Sequence, residues 1–95
     1  MRHKLPDELA KWYDEDYCLE AVKKNGWALQ YVNSQTPEIC LEAIKQNGWA
    51  LRYVKEQNIE TILAALEYDI DCSLYIKWNH ITADEAEYIK LKYLN

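Results

Sequence analysis

Apolar residues recur three and four positions apart along most of the chain, the spacing of helices with a buried side. Between Thr36 and Gln57, residues Ile39, Cys40, Leu41, Ala43 and Ile44 share one arc at about 100° per residue, and Glu42, Lys45 and Gln46 take the remainder. Thr36-Pro37 opens this helix, because Thr accepts a hydrogen bond from a free backbone N–H and Pro suits the first helical position. Asn47-Gly48 closes it. The pattern then resumes, with Trp49, Ala50, Leu51, Tyr53 and Val54 apolar and Arg52, Lys55 and Glu56 polar. The unit is therefore a pair of short helices joined by a corner with almost no loop. Gly48 is expected there in the left-handed conformation of a helix C-cap, with Ile44 against Trp49. Asn-Gly is also a hairpin signal, but its flanks have helical and not alternating period. Each apolar arc covers about 200°, wider than the ~100° stripe of a surface helix, so each helix needs more than one neighbour.

The same unit occurs twice. Cys18–Val32 returns as Cys40–Val54 with twelve of fifteen positions identical and Val22 replaced by Ile44. A tandem copy this close predicts an all-α fold in which helix pairs of about 22 residues stack as a small α-solenoid-like array of either hand, closed by helical caps. One domain covers residues 1–95: an N-terminal cap (1–15), repeat 1 (16–35), repeat 2 (36–57), a degenerate repeat 3 (58–78) and a C-terminal cap helix (79–95).

Seven or eight helices are expected in all. The first runs from Leu5 to Tyr13 with Leu9, Trp12 and Tyr13 inward, and Asp14-Glu15-Asp16 supplies acid to the start of the next. Repeat 1 has helices at Asp16–Asn25 and Trp27–Asn33, and repeat 2 at Thr36–Asn47 and Trp49–Glu56. Asn58 is an N-cap for the third unit. There Ile70 stands where Gly should be, so the turn is expected to be built differently, with Asp71 capping a helix of Cys72, Leu74, Tyr75, Ile76 and Trp78. Asn79-His80 is a stop. Thr82 and Glu85 then form a capping box for a last helix with Tyr88, Ile89, Leu91 and Tyr93 on its apolar side, ending near Leu94.

The runs V-K-K-N-G-W-A-L-Q-Y (Val22–Tyr31) and I-K-Q-N-G-W-A-L-R-Y (Ile44–Tyr53) resemble a bacterial and viral tandem-repeat family catalogued as a domain of unknown function, whose units read A-V-K-x-N-G-x-A-L-x-Y. The resemblance covers about residues 16–57. It implies a helical repeat and carries no catalytic residues.

Charge and chemistry narrow the function further. A net charge of −5 disfavours direct nucleic-acid binding, which draws most of its affinity from a basic face. No apolar run approaches the ~20 residues of a membrane span, and no signal segment follows Met1-Arg-His-Lys, which points to the cytoplasm. Cys18, Cys40 and Cys72 read as buried packing residues, since equivalent positions on packed helices lie too far apart to bridge. Glu20 with Lys23 and Glu42 with Lys45 read as exposed pairs on the first helices. His3 sits in a tail and His80 in a loop. No nucleophile, nucleotide-binding or metal motif occurs, so neither an enzyme nor a cofactor is expected.

Four Trp and eight Tyr with no Phe give many large side chains a polar tip, the type favoured at protein interfaces. The second helices of successive units should lie side by side, aligning Gln30, Arg52 and Lys55 in a row flanked by Tyr31 and Tyr53. These five are the candidate binding residues, and the expected role is a non-catalytic protein-binding module whose oligomeric state is left open. The alternative is a small acidic inhibitor or immunity-type protein that blocks a basic or nucleic-acid-binding site.

Overall fold

A computed structural model describes residues 6–95, which are all-helical with no strand among them. Leu5 and His3, placed above in a first helix and a tail, lie outside the described residues. Ten segments follow in order. Five are α-helices: α1 (Asp7–Ala10), α2 (Glu15–Lys24), α3 (Pro37–Gln46), α4 (Ile59–Tyr68) and α5 (Ala83–Tyr93). Five are 3-10 helices: η1 (Lys11–Tyr13), η2 (Gly26–Tyr31), η3 (Gly48–Tyr53), η4 (Ile70–Tyr75) and η5 (Trp78–His80).

The helix starts are set by side-chain caps. Asp14, Thr36, Asn58 and Thr82 each accept the backbone N–H three residues on, which satisfies a donor that the helix itself leaves free. Asn58 and Thr82 form full capping boxes with Thr61 and Glu85. The first three caps hold the same position in successive units.

The corners differ from the expectation. No described glycine has positive φ, so the left-handed C-cap is absent. The turning residue is instead Asn25 and Asn47, both extended (φ −153° and −155°), whose side chains accept from the N–H of Trp27 and Trp49. The third corner is built the same way and not differently. Asp69 (φ −161°) accepts from Asp71, so the cap is Asp69 and Asp71 supplies its N–H. Aspartate offers the same acceptor oxygen as asparagine, which is why the turn survives the loss of its Asn-Gly signature.

The glycines serve close packing. A Cβ on Gly26 would lie 2.5 Å from the Ala43 carbonyl oxygen, and one on Gly48 would lie 2.6 Å from Cβ of Tyr68. Both contacts fall on the α-helix of the following unit. Ile70, the third equivalent, is 42% exposed, so a full side chain has room there.

The second segments are six-residue 3-10 helices where α-helices were expected. Three residues per turn resolve the broad apolar arc into columns. Gly26, Leu29 and Val32 fall in one column and are buried, as are Gly48, Leu51 and Val54. Trp27 then shares a column with Gln30, and Ala28 with Tyr31. α2, α3 and α4 pack in sequence order, as do η2, η3 and η4, while η2 also lies on α3 and η3 on α4. The core takes Cys18, Val22, Ile39, Cys40, Ala43 and Ile44 from the first two units, then Ile62, Ala65, Leu66 and Cys72 from the third.

The ends are more open than the pattern implied. Leu9 and Tyr13 are half exposed and only Trp12 of that segment packs on the core. In α5 only Ile89 is buried, and Tyr88 and Leu91 face solvent. Leu74 is 78% exposed, not part of an inward arc.

A polar lacing, not anticipated, joins the units along their loops. Gln35 donates to the Tyr53 carbonyl (2.8 Å) and accepts from the Lys55 N–H (2.9 Å). Gln57, its counterpart in the next unit, donates to the Tyr75 carbonyl (2.8 Å) and accepts from the Lys77 N–H (2.8 Å). The same buried amide also donates to the Leu51 carbonyl.

Two stability measurements test this packing. Gly→Ala at a negative-φ position normally stabilises by about 0.4–1 kcal/mol. Here Gly26→Ala and Gly48→Ala should each destabilise by about 1–3 kcal/mol, because the methyl meets an atom that must move. Gly26→Ala should cost more, since its obstacle is main chain. Urea denaturation of both variants checks the sign. Gln57→Ala should cost about 2 kcal/mol or more by stranding the Lys77 N–H and two carbonyls, and Gln35→Ala less because that residue is less deeply buried.

Candidate protein-binding face

The register of η2, η3 and η4 builds one surface from three units. Positions 30, 52 and 74 are Gln30, Arg52 and Leu74, all exposed, and positions 31, 53 and 75 are all Tyr. Trp27 meets Tyr53 edge-on with centroids 5.8 Å apart, and Trp49 meets Tyr75 in the same way at 5.9 Å. Each tryptophan thus steadies the tyrosine of the next unit. Ahead of unit 1, Trp12 of η1 takes that place against Tyr31 at 5.3 Å. Asp71 occupies the tryptophan position of the third unit.

Arg52 is the focus of the surface. Its guanidinium carbon lies 5.3 Å from the Tyr53 ring centroid and 5.2 Å from that of Tyr75, within cation–π range of both. Two rings hold the cation in place, which reduces the entropy it loses on meeting an anion. The ion pairs among the described residues are Glu20–Lys23 (3.9 Å) and Glu42–Lys45 (3.7 Å), both on the first helices as expected, and Arg52 belongs to neither.

Four of the five candidate residues lie on this surface: Gln30, Tyr31, Arg52 and Tyr53. Gln30 also donates to the Trp27 carbonyl, which orients it along its own helix. Lys55 is turned aside. Its ammonium donates to the Asn33 carbonyl (3.2 Å), and its chain lines a cleft of about 300 Å³ with Asn33, Gln35, Thr36, Cys40 and Glu56. Lys77 repeats that role by donating to the Val54 carbonyl (2.9 Å). Leu74 and Tyr75 belong to the face and were overlooked. Extending the repeat register one unit past Tyr53 would have found both.

The cleft is lined mainly by polar residue types and lies at the loops that Gln35 laces together. Cys40 reaches its wall, and its thiol donates to Gln35 Oε1 (3.5 Å). Burial pushes the Cys40 thiol up to about 11. Burial, with help from Asp69 and Asp71, pushes Cys72 up to about 11. Cys18 is raised by burial and then by Asp14, and its thiol donates to the Trp12 carbonyl. All three are free and buried, and stay protonated near neutral pH. His80 sits at the end of η5, and its Nδ1 accepts from the Gln57 N–H (3.1 Å). Among the described residues no three His, Cys, Asp or Glu side chains converge as metal ligands, and no helix is long and apolar enough to cross a membrane.

A family model described as Domain of unknown function (DUF4116) matches residues 14–58, from the cap of α2 to the cap of α4. No curated protein and no solved structure matches the chain.

The thiols make stability depend on alkaline pH. Between about pH 9 and 11 the unfolded chain releases protons that folded Cys40 and Cys72 retain, so the folded state binds more protons and stability falls as pH rises. Urea midpoints measured from pH 8 to 10.5 should decline. The decline should be shallower in a Cys40→Ala/Cys72→Ala variant, whatever its stability at pH 8.

Proposed function

We propose that this chain is a non-catalytic protein-binding module, a short α-solenoid-like stack of repeated helix pairs that offers the face of η2, η3 and η4 to a protein partner in the cytoplasm. The observation that carries the reading is Arg52, exposed between the rings of Tyr53 and Tyr75 without an ion pair among the described residues. Arg and Tyr on a supported surface suit an interface hot spot, because they bring large contact area at small conformational cost. The first helices instead present Glu20, Lys23 and Lys24, then Glu42, Lys45 and Gln46, charged and flexible side chains of the kind depleted from interface cores.

The stacking half of the reading is supported by caps, corners and lacing glutamines that recur at equivalent positions of successive units. The long outline of 53 × 28 × 18 Å fits it as well. Three free, buried and protonated thiols suit a reducing compartment and a packing role. An acidic inhibitor role is not favoured, because the register positions at the centre of the face are Gln30, Arg52 and Leu74, none of them acidic.

With a partner captured from the native host and identified by mass spectrometry, Arg52→Ala and Tyr53→Ala should each weaken binding by about 1 kcal/mol or more. Glu42→Ala and Lys45→Ala should change it little. Circular dichroism melts confirm folding of each variant, which matters for Tyr53 because it is half buried. Normal binding by a folded Arg52→Ala protein, with loss in Glu42→Ala or Lys45→Ala, would move the contact to the first helices.

A further inference from the structure

Resting on that face as the contact surface, we propose that its partner is a protein segment that sets a carboxylate on Arg52 and an apolar side chain on Leu74 of the next unit. Arg52 has unused donors. Its side chain takes part in no hydrogen bond or ion pair among the described residues, and Asp71 of η4, the acid that stands in the tryptophan column, does not pair with it. Lys55 and Lys77 on the neighbouring loops are occupied differently, since their ammonium groups donate to main-chain carbonyls. A guanidinium fixed by two rings presents its free N–H groups in a fork that matches a carboxylate.

Leu74 supplies the second contact. At 78% it is the most exposed large apolar residue among those described, and it stands in the register position of Arg52 one unit on. The spacing follows from the stack. One guanidinium reaches the rings of both Tyr53 and Tyr75, so successive units are about 10 Å apart at most, the distance of packed helices. Three residues of a polyproline II segment, whose side chains return to one face every third position, span ~9 Å, and seven residues of a helix span ~10 Å. The partner therefore carries Asp or Glu and a Leu-like residue separated by three or seven positions. A single-stranded nucleic acid also stacks on aromatic rings, but it needs a row of cations. Here the positions flanking Arg52 in register are Gln30 and Leu74, both neutral, on a chain of net charge −5.

The test uses random linear peptides displayed on phage and selected against the immobilised full chain. Enriched sequences should carry an acid and an apolar residue at one of those two separations. Binding of the enriched peptide should weaken about tenfold with Arg52→Gln, whose exposed site leaves folding intact. It should also weaken clearly with Leu74→Ala. Arg52→Glu should in turn bind a peptide whose acid is replaced by Lys. Enriched peptides that need Tyr31, Tyr53 or Leu74 but no acid, and ignore Arg52→Gln, would overturn this inference and leave the face standing. Peptides insensitive to every variant of the face, or no enrichment at all, would overturn the inference, and the first of these would remove the face as well. Binding of a fluorescent oligothymidylate at physiological salt that is lost in Arg52→Gln would assign the site to nucleic acid instead.

Discussion

At Gly26 and Gly48 the backbone of one unit comes so near the next that only a hydrogen atom fits as a side chain, with the Ala43 carbonyl against one and the Tyr68 side chain against the other. That approach lays η2 on α3 and η3 on α4, and it sinks the column of Leu29 with Val32 and that of Leu51 with Val54 out of solvent. On the loop side, Gln35 and Gln57 hold the same units with hydrogen bonds to main chain. Apolar contact brings the units close, and directional amides fix how far each slides along the next. Neither would do both, because hydrophobic burial has no direction and a single hydrogen bond contributes only about 1 kcal/mol.

This spacing also makes the surface. A Trp of one unit reaches the Tyr of the next only because the second segments lie side by side, and Arg52 reaches Tyr75 for the same reason. The 3-10 winding matters here. It stacks Gln30 over Trp27 and Arg52 over Trp49, so polar tips and aromatic bodies alternate in a fixed order across the face. In an α-helix the same positions would drift apart by about 60° every three residues, because each residue turns less. The thiols pack inside the core. Cys18, Cys40 and Cys72 are buried small groups whose protons are held more firmly than in water.

The pattern stops repeating where the close approach stops. Ile70 replaces the glycine, and the last cap is Thr82, two positions past the repeat register, with η5 filling the gap. α5 packs on α4 with Ile89 as its buried anchor, and Leu91 stays exposed. A side chain at position 70 is incompatible with another unit docked as the first three are, since it would take the space that Gly26 and Gly48 leave for a neighbour.

What depends on neighbours along the chain was legible from the residues alone. Caps at Thr36, Asn58 and Thr82, the Pro37 start, the surface pairs Glu20–Lys23 and Glu42–Lys45, and the all-helical class follow from side chains acting over a single helical turn. Packing between units settled the remainder. Over six residues an apolar spacing of three fits an α-helix and a 3-10 helix alike, so the pattern does not select the tighter winding seen in η2 and η3. Asn-Gly reads locally as a left-handed cap, yet the glycine answers to Ala43 on the helix of the following unit, and the turn itself belongs to the asparagine. Gln35 and Gln57 were visible as a recurrence, but their partners lie 18 to 20 residues along the chain, beyond the reach of any local rule. The face of the second segments is the extreme case. Gln30, Arg52 and Leu74 have nothing in common as residues, and they become one surface only because equal spacing in sequence is converted by stacking into adjacency in space.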